Sequence, residues 1–159
     1  MKKVLALALL CVVGLSTSAL ADDYTPGSGW LKFTWGGGEP VWVGTEYTFT
    51  STADMPLFKI TDAYLSGDQF EVYDHGDLIL TTSDGYTTGD SIGGDYDAAY
   101  DDPKWSSGSV VLPPGDHLIE ILVIANPYSG GGAAFEVTVP EPASLALLAL
   151  GGLAVIRRR

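Results

Sequence analysis

Cysteine and positive charge are nearly absent from this chain. The single cysteine, Cys11, lies in an apolar leader. Residues 22–138 therefore hold no disulfide, no thiolate metal ligand and no cysteine nucleophile. Three basic residues (Lys32, Lys59 and Lys104) stand in that stretch against nineteen acidic ones, a balance near −16. Phosphate backbones are held by clustered Lys and Arg, so nucleic acid is excluded as a partner. An acidic surface fits an exported soluble protein or one that binds cations. Histidine is equally scarce, with only His75 and His117. No G-x-S-x-G, H-E-x-x-H, phosphate loop or dinucleotide fingerprint occurs. No carboxylate pair has a spacing that marks a glycosidase. These absences point to a protein that is not an enzyme and carries no resident cofactor.

Long hydrophobic runs are missing as well, but two short ones flank the acidic stretch. Lys2-Lys3, the apolar run Val4–Leu15 and the A-x-A site Ala19-Leu20-Ala21 have the order of a secretory signal. The expected cut follows Ala21, by a signal peptidase, so residues 1–21 are read as a signal peptide. Cys11 follows Leu9-Leu10 rather than a small residue, which argues against a lipoprotein. At the other end, Val139-Pro140-Glu141-Pro142 precedes an uncharged segment, Ala143–Ile156, and the chain ends in Arg157-Arg158-Arg159. The prolines hold the backbone extended and keep a helix from starting earlier. The arginines stay cytoplasmic by the positive-inside rule. A helix over the apolar segment spans roughly 21 Å, short of a ~30 Å hydrocarbon core. That length fits a temporary anchor.

Pro140-Glu141-Pro142, the apolar segment and the arginine cluster together resemble the PEP-CTERM sorting signal of exported bacterial proteins. The resemblance covers residues 139–159. It implies recognition and removal of the tail by an exosortase, and transient residence in the inner membrane before the cell surface or the medium. It also implies a Gram-negative host that makes exopolysaccharide and biofilm, with exopolysaccharide as a candidate partner.

Residues 22–138 form one domain of strand-like runs broken by Gly, Asp and Pro. The expected strands are Trp30–Trp35, Glu46–Ser51, Leu57–Tyr64, Gln69–Asp74, Asp77–Thr82, Ser107–Leu112, His117–Ile124 and Ala133–Val139. No stretch there shows sustained helical periodicity. His75-Gly76 is a two-residue hairpin turn and Pro113-Pro114-Gly115 a second sharp turn. His117–Ile124 is the candidate central strand. The pattern predicts an all-β fold, an antiparallel β-sandwich of jelly-roll type. The segment Ile60–Tyr73 resembles one common among PEP-CTERM cargo proteins.

Two features could carry binding. The acidic loop holds Asp90, Asp95, Asp97, Asp101 and Asp102 among glycines, the donor type Ca²⁺ uses. The spacing is not that of an EF-hand, and a solvated acidic loop is the plainer reading. Trp30, Trp35 and Trp42 fall close together beside Gly36-Gly37-Gly38. Exposed Trp faces stack on sugar rings. The alternative is that Trp30 and Trp42 are core and edge-covering residues.

Overall fold

The computed structural model describes residues 20–51 and 55–139. Ala19, most of the leader, the Pro140–Pro142 motif, the expected helix within 142–157 and Arg157–Arg159 lie outside the described residues. Among the described residues no helix is long and apolar enough to cross a membrane.

The described residues form ten strands, in chain order β1 (Leu20–Asp23), β2 (Leu31–Gly36), β3 (Val41–Trp42), β4 (Thr45–Ser51), β5 (Leu57–Asp62), β6 (Gln69–Asp74), β7 (Asp77–Thr81), β8 (Ser107–Val111), β9 (Gly115–Ala125) and β10 (Gly130–Thr138). One short helix, α1 (Tyr96–Asp101), lies between β7 and β8. Sheet A runs β1-β4-β9-β6-β7, with β3 also on β9, and sheet B runs β2-β10-β5-β8. Leaving aside β1 and β3, the remaining strands pair first with last, second with seventh, third with sixth and fourth with fifth. That is a long hairpin rolled on itself, the jelly-roll order. All eight expected strands are present within a few residues.

Side-chain alternation explains which face each strand buries. In β5, Phe58 and Ile60 are buried while Lys59 stays half-exposed. In β9, His117, Ile119, Ile121 and Val123 point into the core, and Leu118, Glu120 and Leu122 form the half-covered outer row. The β6–β7 turn holds His75 at φ +50° and Gly76 at φ +82°, two left-handed residues that match the twist of the hairpin.

The core lies between the sheets and centres on Phe135 of β10. Its ring is 5.4 Å from Phe58, stacked, and 4.9 Å from Tyr47 of sheet A, edge-on. Phe33 and Tyr24 close the other sides at 6.4 and 5.2 Å. Tyr24 also clips the N-terminal segment to β10: its hydroxyl donates to the Gly29 carbonyl (2.8 Å) and accepts from the Val137 N–H (3.1 Å).

Three elements differ from the sequence expectation. β1 pairs parallel to β4 from Leu20↔Thr45 to Asp23↔Thr48, so the cut expected after Ala21 falls inside this strand. Asp22 and Asp23 keep their pairings beyond that point. β3 is two residues long, too short to show a period. α1 is six residues long and was not expected; Asp95 caps it, its carboxylate accepting from the Ala98 N–H at 3.1 Å, and Ala99 is buried beneath.

Phe135→Ala removes the ring shared by both sheets. It should cost about 3–5 kcal/mol of unfolding free energy in urea denaturation.

Candidate functional site

The site grows from one corner. β5 ends at Asp62, and the chain must leave sheet B and enter sheet A at Gln69. Asp62 is fully buried. Its Oδ1 accepts from the Ala63 N–H at 2.7 Å, and its Oδ2 accepts from the Gly67 and Asp68 N–H groups at 3.1 and 3.2 Å. A single side chain thus satisfies three donors that have no strand partner. Tyr64 sits in this corner at φ +59°, a left-handed conformation that strains a bulky residue. Its N–H donates to the Gly93 carbonyl and its own carbonyl accepts from Ile92, both at 2.9 Å. The strained residue is held by backbone on both sides.

Asp68 closes the corner, 2% exposed, and its Oδ1 has no hydrogen-bond partner. Burial first, and then the charge of Asp68, pushes Asp62 up to about 8, against the pull of the three N–H donors. Burial also pushes Asp68 up to about 7, with Asp62 opposing. Two such neighbouring carboxyls titrate as a pair.

Beside this pair, β10 begins with Gly130-Gly131-Gly132. These glycines line a cleft of about 320 Å³ together with Lys32, Thr34, Tyr64, Leu65, Asp68 and Tyr128. The floor has to be glycine. A Cβ at Gly131 would stand 2.6 Å from the Trp35 ring and 2.7 Å from Asp68 Oδ2, and one at Gly132 would stand 3.0 Å from the Tyr64 ring. The Lys32 ammonium lies 4.8 Å from the Tyr64 ring centre. Lys32 first, and then Tyr96, holds the Tyr64 phenol below its usual range. A second, more open trough near His75 and Asp116 has its polar groups paired already: Thr48 donates to Asp23 and Thr50 to Asp116, each at 2.6 Å.

The acidic loop is used differently from the expectation. Asp90 pairs with Lys104 at 2.7 Å, which holds its carboxyl below the usual range. Asp95 caps α1, Asp97 accepts from Trp30 Nε1 at 2.9 Å, and Asp102 accepts from the Lys104 N–H at 3.0 Å. Asp101 is exposed at the end of α1. Among the described residues no three Asp, Glu, His or Cys side chains converge where a metal ion could sit. Part of the loop instead braces the corner, since the Asp90 carbonyl accepts from Ser66 and that of Gly93 from Tyr64.

The three tryptophans do not share a face. Trp35 is buried against Phe70, ring centres 5.3 Å apart, and presents no stacking surface. Trp30 is half-buried against Tyr96 and Tyr100. Trp42 alone is open, 51% exposed, and leans on Tyr73 at 5.2 Å. His117 is buried as well, with its ring nitrogens 2.7 Å from Asp74 Oδ2 and 3.0 Å from the Pro113 carbonyl. It ties β9 to two turns.

The PEP-CTERM protein-sorting motif is found at residues 138–159, and it implies processing by an exosortase and export with membrane-anchored sorting. No curated protein matches the chain. Among solved structures, the pre-peptidase C-terminal domain of a collagenase from Bacillus anthracis aligns at 15% identity with a TM-score of 0.41, covering 74% of this chain and 94% of that one.

The buried pair sets a pH dependence of definite sign. Both carboxyls hold their proton more tightly folded than unfolded, so their contribution to stability is fully present below about pH 4 and is lost as pH rises through about 7–8. The melting temperature should fall between about pH 5 and pH 8. Asp68→Asn, which cannot ionise and leaves Asp62 without a charged neighbour, should flatten that fall in a calorimetric pH series.

Proposed function

We propose that this chain is an exported, non-enzymatic protein of the cell surface or extracellular matrix. It is held briefly in the inner membrane by its C-terminal tail and released by an exosortase. The carrying observation is the sorting motif and its place in the fold. The match begins at Thr138, the last residue of β10, where the side-chain hydroxyl still donates to the Leu57 carbonyl at 3.3 Å. Only Val139 separates that strand from Pro140. Glu141, between two prolines, offers an extended segment that a protease cleft can bind as a strand. Arg157, Arg158 and Arg159 each cost about 2.5–3.5 kcal/mol at mid-membrane, which keeps the tail from crossing. Signal peptidase acts at the other end, after Ala21.

A second reading, a binding module for saccharide within a polysaccharide matrix, is supported by the glycine-floored cleft beside Tyr64 and Tyr128. Ca²⁺ binding by Asp90, Asp95, Asp97, Asp101 and Asp102 draws no support from their positions, because four of the five are engaged in caps, bridges and turns.

Replacing Pro140 and Pro142 with Ala, or deleting the three arginines, should trap protein at its unprocessed mass in the membrane fraction, read by immunoblot of fractionated cells. Release of either variant at the wild-type rate and mass would refute sorting through this tail.

A further inference from the structure

We propose that the cleft over Gly130–Gly132 binds one or two pyranose units carrying a carboxylate, with sugar hydroxyls set against Asp68 and the ligand carboxylate on Lys32. This rests on the binding-module reading and names its ligand class.

Size comes first. At about 320 Å³ the cleft stands at the lower end of ligand pockets, which run roughly 300–1,000 Å³. That admits a sugar unit or two. Two features fix its walls: glycines at 131 and 132 that let Trp35, Asp68 and Tyr64 pack directly on the β10 backbone, and a Tyr64 held at φ +59°. Strain of this kind persists only where the surroundings impose it.

Unmet hydrogen-bonding capacity gives the ligand its polar face. Asp68 is buried, lines the cleft and has an oxygen without a partner. Trp35, whose Nε1 is also unpartnered, packs under Gly131 near Asp68. A buried polar atom left unpaired is costly. A ligand that both donates and accepts, as a hydroxyl does, answers that requirement. The raised carboxyl pair is itself able to donate or accept near neutrality.

Charge decides the class. Lys59 is paired with Glu136 at 2.9 Å and Lys104 with Asp90 at 2.7 Å. Among the described residues Lys32 is the one lysine without a carboxylate partner, and it stands at the cleft. In a domain near −16 it is the local attraction for an anion, while the summed negative field disfavours polyanions such as phosphate chains. A single carboxylate on a sugar ring meets both conditions. The half-open Tyr128, 38% exposed, supplies a flat apolar face for the ring.

The test is amide NMR on the full chain in detergent micelles. It is titrated separately with methyl β-D-glucuronide, methyl β-D-glucoside and acetate. Saturable shifts at Gly130, Gly131 and Gly132 are expected with the glucuronide, at lower concentration than with the glucoside. Lys32→Met should weaken the glucuronide about tenfold and leave the glucoside unchanged, and Tyr128→Ala should weaken both. Both side chains are exposed, so unchanged core resonances verify the fold. Asp68→Asn adds a third arm, expected to weaken both sugars. If glucuronide and glucoside bind equally and Lys32→Met changes neither, the acidic class falls while the saccharide reading stands. If neither sugar shifts the glycine amides, both fall. If acetate alone reproduces the glucuronide shifts at the same concentration, the site is an anion site and the proposal is overturned.

Discussion

A buried carboxylate with three backbone donors is the constraint on which the cleft end of this sandwich depends. Asp62 lies where a strand of one sheet must become a strand of the other within six intervening residues. A chain crossing there leaves N–H groups with no ladder to join, and unpaired buried donors are costly. Asp62 collects those of Ala63, Gly67 and Asp68. The rest of the corner follows. Tyr64 is driven into a left-handed conformation, Leu65 is turned outward, and Asp68 is buried beside its clamp. Two acids are thus buried in one corner, and burial raises the pKa of each.

β10 joins this corner to the exported fate of the chain. Its first residues, Gly130–Gly132, are the cleft floor; its middle carries Phe135, the hub of the core; its last, Thr138, begins the sorting motif. Eight residue steps of strand separate the two ends, roughly 26 Å. Removal of the tail would therefore act at the far end of the strand from the cleft. On this geometry the cleft and the start of the sorting motif stand at opposite ends of one strand, with the core residue Phe135 between them.

Much of the fold was legible from the sequence, because half-buried strands alternate and the turns are chemically marked. Phe58, Ile60 and Lys59 announce β5, and His75-Gly76 announces its hairpin. β9 read as central because His117–Ile124 is apolar on both sides, and it does pair with β4 and β6. The jelly-roll order needed pairings at long sequence separation, and the turn signals only favoured it. β1 and β3 were too short to show a period, and α1 too short to show a helical face, although Asp95 with Ala98-Ala99 carries a cap signature.

The site was less legible, for physical reasons. Trp30, Trp35 and Trp42 are neighbours in sequence, but alternation sends Trp35 inward and the chain carries Trp42 to the other sheet. The aspartates of the acidic loop looked like a ligand set, and local caps and ion pairs take up most of them. Asp62, within the expected strand Leu57–Tyr64, and Asp68 carried no sign of burial in sequence, because aspartates are ordinarily solvated. Both lie in the segment Ile60–Tyr73, at either end of the link Ala63–Gly67 between two apolar strands.

Amide hydrogen exchange in the wild type and in Asp62→Ala tests the clamp most directly. The account predicts that Ala63, Gly67 and Asp68 are protected in the wild type and lose protection by about tenfold or more in the variant, while Ala134 and Phe135 of β10 stay protected. Equal exchange at those three amides in both proteins would contradict it.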